Sequence, residues 1–219
     1  MKIAISLDFW GTIALHNPDY RAEVTRYFAK ILSVSDHEGE ARYKLVKDAC
    51  DLEAEMRGTA VTPHEAVKRL AGNTDICVDS TVAEIERLVR KHPPRLHPDF
   101  PKVLSDLQNQ GCIIGVSSNT NFISGSTIQS VFRLPWDFEV YSDEIGASKP
   151  DRKFFKHLLW EIGAIKGWDL MEGIYHIGDN QICDGGATKV DLEFLLVNSP
   201  NDTITHLKSL IGKKSYATC

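Results

Sequence analysis

A chain of 219 residues with 42% hydrophobic and 25% charged side chains has ordinary globular composition, which excludes disordered and fibrous classes. Its net charge of −5 comes from acidic and basic residues mixed along the whole chain, with no block of Lys and Arg, so no nucleic-acid partner is expected. The apolar start MKIAISLDFW is too short for a signal peptide, and no run approaches the roughly 20 residues that cross a bilayer, so no membrane partner is expected either.

The first expected element is a buried strand over Lys2–Asp8 (KIAISLD). From about His16 to His97 the pattern is helical, with no strand expected. Helices are read over Tyr20–Leu32, Glu40–Met56, Pro63–Leu70 and Val82–Val89, with Gly58, Gly72 and Asn73 as interruptions. His92-Pro93-Pro94 and His97-Pro98 close that stretch. About 80 helical residues between the first strand and the rest of the chain imply a small second domain. We place it at residues 16–94, with the core at 1–15 and 95–219.

After it, Phe100, Val103, Leu104 and Leu107 form one helical stripe, closed by Gly111 at a C-cap. Strands follow at Cys112–Ser117 (CIIGVS) and Phe138–Ser142 (FEVYS). Phe154, Phe155, Leu158, Leu159 and Ile162 form a second stripe, closed by Gly163. The last strands are Gly173–Ile177 (GIYHI) and Glu193–Asn198 (EFLLVN). The polar tail GKKSYATC is expected to fray. This alternation implies an α/β fold with a doubly wound parallel sheet, whose ligands bind beyond the carboxyl ends of the strands.

Polar residues fall where the strands end. Asp8 closes the first, Ser117, Ser118 and Asn119 the second, and Lys149 follows the third in ASKPD. Asp179 closes the fourth in HIGDNQICD, with Asp184 five residues on. Parallel strands bring all four groups to one sheet edge. Such a set suits nucleophilic displacement at phosphorus: an aspartate attacks, a hydroxyl and an ammonium hold phosphoryl oxygens, and carboxylates bind Mg²⁺. Ser117 is read as structural. His16, His97 and His176 lack metal-ligand spacing, and His176 is expected to pack within its strand. Five scattered cysteines (Cys50, Cys77, Cys112, Cys183, Cys219) without a CxxC pair point to a reducing cytoplasm rather than disulfides or zinc.

These segments resemble, in order, the four motifs of the haloacid dehalogenase-like (HAD) superfamily. Asp8-Phe9-Trp10-Gly11-Thr12 looks like motif I, Ser118-Asn119 like motif II, Lys149-Pro150 like motif III, and Gly178-Asp179 with Asp184 like motif IV. The resemblance covers roughly residues 1–15 and 95–200, and the helical insertion is similar to the family's C1 cap. It implies a Rossmann-type core, a hydrolase with Asp8 as nucleophile, and Lys149 as a second catalytic group. Thr12, Ser118, Asn119 and Lys149 would contact substrate. Asp8, the Trp10 carbonyl, Asp179 and Asp184 would hold Mg²⁺, with Asp184 reaching it directly or through water.

One residue departs from the pattern. In the superfamily's phosphatases the position of Trp10 commonly carries a second aspartate, the general acid and base. Tryptophan can be neither, and such assistance is typically worth roughly 10²–10⁴-fold. Three readings follow. The first is a Mg²⁺-dependent phosphohydrolase or phosphotransferase for a small phosphorylated metabolite whose leaving group departs unprotonated. The second is a 2-haloacid dehalogenase, since family dehalogenases carry an aromatic residue there. The third is a non-catalytic binding relative. The acidic pair Asp179 and Asp184 favours the first, because carboxylates gathered near Asp8 are costly without a cation. Arg21, Arg26 and Arg57 are the insertion's candidates for contacting an anionic substrate. Nothing in the sequence sets an oligomeric state.

Overall fold

The computed structural model describes residues 3–166 and 171–214. Five short strands make an all-parallel sheet: β1 (Ile3–Leu7), β4 (Ile113–Ser118), β5 (Phe138–Tyr141), β6 (Gly173–Gly178) and β7 (Glu193–Leu196), in the order β5-β4-β1-β6-β7. β1 is central, with Leu7 opposite Val116 on one side and Ile177 on the other. Strand side chains alternate between faces, and both faces are covered. Ile3, Ile5 and Leu7 join a core with helix α5 (Phe100–Asn109) and helix α9 (Pro200–Lys214), while Ala4 and Ile113 pack with Phe154, Phe155 and Leu158 of α8 (Arg152–Lys166). Two shorter helices, α6 (Gly125–Phe132) and α7 (Ser142–Ile145), flank β5.

The insertion holds four helices: α1 (Pro18–Leu32), α2 (Asp36–Arg57), α3 (Pro63–Ala71) and α4 (Val78–Lys91). Helix α1 starts where Asn17 caps Asp19 and Pro18 presets the first turn. Helix α2 starts four residues before the expected Glu40, because Ser35 and Glu38 form a reciprocal capping box. It stops at Gly58, which takes the left-handed conformation (φ 64°) that terminates helices. Phe28 of α1 and Tyr43 of α2 pack on Phe122, in the loop after β4, so the insertion rests on the carboxyl end of the sheet.

Two further expectations are corrected. The stretch read as strand-free contains β3 (Arg95–Leu96), which pairs antiparallel with β2 (Ala14–Leu15) and brings the insertion's two ends together. Both strands are two residues long, too short for a period-2 pattern to register. Gly163 does not close α8, which runs on to Lys166. A lone helical glycine costs only about 1 kcal/mol, and Phe154, Phe155, Leu158 and Ile162 are fully buried along one face. Of the tail GKKSYATC, residues 215–219 lie outside the described residues. No helix among the described residues is long and apolar enough to cross a membrane.

Candidate active site

The strand ends converge as parallel pairing requires. Asp8 follows β1, its amide bonded to the Ile177 carbonyl at 2.8 Å. The chain then turns sharply, with the Ile13 and Ala14 amides returning to the Phe9 carbonyl. Gly11 makes the turn possible at φ 75°, and any Cβ there would lie 2.0 Å from Asp179 Oδ2. Glycine is thus required twice over, by backbone angle and by the carboxylate beside it.

Lys149 is the hinge of the site. Its side chain is 2% exposed, and its Nζ donates to Asp8 Oδ1 (2.6 Å), Asp184 Oδ1 (2.6 Å) and the Ser117 carbonyl (3.2 Å). All three ammonium protons are therefore used. Asn119 fixes the Lys149 backbone reciprocally: Lys149 N donates to Asn119 Oδ1 (2.8 Å) and Asn119 Nδ2 donates to the Lys149 carbonyl (3.0 Å). Asp184 opens a 3-10 turn over Asp184–Val190, and its Oδ2 accepts from Asn180 N (3.0 Å). Gly178 admits it, since a Cβ there would meet Asp184 Cγ at 2.2 Å.

The charges resolve unevenly. Burial, aided by the Asp184 and Asp179 carboxylates, pushes Asp8 up to about 7 against the pull of Lys149. Burial also acts on Asp184, yet Lys149 and His176 together hold it well below the usual carboxylate range. Asp179, at the exposed rim, is moved up by partial desolvation and by Asp184. Asp8, Asp179 and Asp184 present oxygens within 4.8 Å of one another. Three carboxylates face one ammonium, and no side chain among the described residues donates to Asp179. That donor set fits a hard divalent cation.

These groups open onto a cavity of about 410 Å³ that is also lined by Trp10, His16, Asn119, Cys183 and a stripe of α2. Trp10 stacks on His16 with centroids 4.1 Å apart, and burial beside Lys47 pushes His16 down to about 4. The α2 stripe is Tyr43, Lys47, Asp51 and Glu55, one residue per turn. Asp51 pairs with Lys47 (2.6 Å) and accepts from Asn121 (2.8 Å), and Glu55 accepts from Asn180 (3.1 Å).

Other expected contacts fall differently. Ser118 is fully buried and not among the cavity-lining residues; its hydroxyl donates to the Asn119 carbonyl at 3.2 Å. Thr12 lies beneath the turn, 3.5 Å from Asp8 Oδ2. Arg21, Arg26 and Arg57 do not line the cavity; Arg21 pairs with Glu40 and Arg26 borders a separate surface groove. Sequence reasoning passed over the α2 stripe; His176 packs within its strand as expected, and its Nε2 additionally lies 2.9 Å from Asp184 Oδ1. Four residues apart on a helix, a Tyr-Lys-Asp-Glu series reads as a solvated face, which is its usual meaning.

Comparison with solved structures identifies the architecture as that of the HAD-like hydrolases. YfnB from Bacillus subtilis, assigned as a HAD-hydrolase and solved bound to magnesium, matches with a TM-score of 0.66 at 15% identity, over 94% of this chain and 98% of its own. A HAD phosphatase from Thermococcus onnurineus matches at 0.65 and 17% identity, over 97% and 98%. The L-2-haloacid dehalogenase from Xanthobacter autotrophicus matches at 0.58 and 16%, over 89% and 76%. Phosphatases and dehalogenases thus share this fold. No family model and no curated protein matches the sequence.

Proposed function

We propose that the chain is a Mg²⁺-dependent hydrolase or phosphotransferase that passes the phosphoryl group of a small metabolite through Asp8. The observation that carries this reading is the charge balance of the site: three clustered carboxylates against one ammonium, a deficit of two that a divalent cation matches. Bound Mg²⁺ would supply charge neutralisation between nucleophile and phosphate, held by Asp8, Asp179, the Trp10 carbonyl and Asp184. Lys149 fixes Asp8 Oδ1, which leaves Oδ2, with only the long Thr12 contact, to attack phosphorus. The new bond joins Oδ2 to phosphorus while the P–O bond to the leaving group breaks, its electron pair departing with that oxygen. Water then hydrolyses the acyl phosphate on Asp8.

The helical insertion at residues 16–94 acts as the cap over a core at 1–15 and 95–219, and its α2 stripe meets the part of the substrate that does not react. Asn119 and Lys149 border the phosphoryl position; Thr12 and Ser118 support it from beneath. Among the described residues, the unbridged thiols Cys50, Cys77 and Cys183 support a reducing, cytoplasmic setting.

The metal assignment predicts that Asp179→Asn weakens Mg²⁺ binding by at least about 10-fold, the loss typical even of residues that merely support a ligand. Calorimetric titration checks it, and an unchanged affinity would move the cation away from Asp179.

A second reading, dehalogenation, is favoured by one observation: the aromatic Trp10, stacked on His16, where an acid would stand. Leaving-group dependence separates the two. The phosphoryl reading predicts that acetyl or p-nitrophenyl phosphate turns over much faster than an alkyl phosphate, whose alkoxide leaves poorly unprotonated. Trp10→Asp should raise alkyl-phosphate turnover by up to roughly 10²-fold, with melting measured alongside because the indole also packs edge-on against Phe9. Halide release from a 2-haloacid by the wild type, with no gain on alkyl phosphates in a folded variant, establishes the dehalogenase instead.

A further inference from the structure

We propose that His176 is a positioning residue that pins the Asp184 carboxylate onto Lys149 and restrains it from turning toward the metal position. The inference rests on the phosphoryl reading above for its catalytic consequence.

His176 projects from β6 into the core, fully buried, with Phe155 edge-on at 5.4 Å and Phe194 stacked at 6.3 Å. Its two nitrogens are both engaged: Nε2 with Asp184 Oδ1 (2.9 Å) and Nδ1 with Ser6 Oγ (3.2 Å). Ser6 Oγ in turn meets Ser117 Oγ at 2.7 Å. The proton directions follow from the acceptor-only carboxylate. His176 Nε2–H donates to Asp184, so Nδ1 of the neutral ring accepts from the Ser6 hydroxyl, and Ser117 donates to Ser6. The Ser117 carbonyl meanwhile accepts from Lys149 Nζ. The set closes on itself: Ser117, Ser6, His176, Asp184 and Lys149, drawn from three neighbouring strands and two loops, all buried.

Acceptor counting gives the ring its meaning. A carboxylate offers about four acceptor sites. Both on Asp184 Oδ1 are taken, by Lys149 and His176, and Oδ2 accepts from Asn180 N. One site on Oδ2 remains for the cation or its water. Without the His176 donor, Oδ1 regains an acceptor site, the carboxylate is free to rotate toward the cavity, and Lys149 loses a partner that aims it at Asp8. A residue that only fills space would weaken metal binding and catalysis together. A residue that restrains Asp184 moves them in opposite directions.

The test uses His176→Leu and His176→Gln in the full chain; the Gln amide nitrogen reaches the same acceptor as Nε2. Mg²⁺ affinity is read by calorimetry without substrate, and kcat and KM with acetyl phosphate. The Leu variant is expected to bind Mg²⁺ about 3- to 10-fold more tightly, the worth of roughly one hydrogen bond, while kcat falls by about 10-fold or more and KM changes little. The Gln variant is expected to restore both. The Lys149 ammonium signal in nitrogen-edited NMR of the metal-free protein gives a readout independent of the phosphoryl reading. It should be visible in wild type and Gln, and shifted or lost in Leu. Should the Leu variant fail to fold, Ser6→Ala replaces it, with smaller shifts of the same sign. Weaker or unchanged Mg²⁺ binding in the folded variant, a Gln variant that behaves as Leu, or an unmoved Lys149 signal each overturns the inference. A wild type that neither binds Mg²⁺ nor turns over phosphate removes the phosphoryl reading alone, and the Lys149 signal then decides the positioning role.

Discussion

Asp8→Asn is expected to lower turnover by at least about 10³-fold, ~4 kcal/mol of barrier, without lowering the melting temperature. An amide of the same shape fills the space but does not attack. The stability half of the expectation follows from burial, which together with Asp184 and Asp179 pushes Asp8 up to about 7. The unfolded value lies near about 3.9. A carboxylate whose folded-state value is raised destabilises the fold increasingly as pH rises through that window. The metal-free wild type should therefore lose stability relative to Asp8→Asn between about pH 4 and about pH 7. Thermal melts in chelator, with single-turnover kinetics in Mg²⁺, check both halves. A variant that keeps about a tenth of the activity removes Asp8 from the role of nucleophile.

Lys149→Met is the second large effect, and it strikes fold and chemistry together. The substitution leaves Asp8 and Asp184, 6% and 1% exposed, without the ammonium that joins them. Breaking a buried ion pair from one side costs about 3–5 kcal/mol, and activity should fall by at least about 10²-fold. In the wild type, Lys149 and His176 hold Asp184 low against burial, so Asp184 contributes stability above its unfolded value of about 3.9. That contribution fades as pH falls toward the folded value. The stability gap between wild type and variant should accordingly narrow on acidification below about pH 4. Adding Asp184→Asn to Lys149→Met should recover much of the stability and none of the activity. Equal melting of wild type and single variant at neutral pH would mean that the three groups are not coupled as described.

Fold and site were legible to different depths. The parallel sheet and its carboxyl edge could be read because β1, β4 and β6 are short apolar runs, each followed by a polar residue. Asp8 and Asp179 stand at strand ends for that reason, and Lys149 and Asp184 reach them through the Asn119 bonds and the turn over Asp184–Val190. The start of α2 lies ahead of the helical pattern at Glu40 because the capping pair Ser35 and Glu38, not that pattern, sets it. The assignments to Ser118 and Thr12 followed motif position, which does not specify that both hydroxyls lie under the cavity floor. His176 escaped because a histidine in an apolar strand usually packs as core. Its signal lay in company rather than in spacing. Ser6, Ser117 and His176 each interrupt a strand buried on both faces, and buried polar groups need partners. Only the strand order, with β4, β1 and β6 side by side, turns these three interruptions into one network.

The phosphoryl route through Asp8 is tested most directly by trapping the intermediate. Wild type mixed with acetyl phosphate and Mg²⁺, quenched in acid and digested, should yield the peptide around Asp8 carrying one phosphoryl group. The same peptide should be unmodified in Asp8→Asn and in wild type kept in chelator. A peptide that stays unmodified under every condition, while the enzyme consumes acetyl phosphate, would contradict covalent transfer through Asp8.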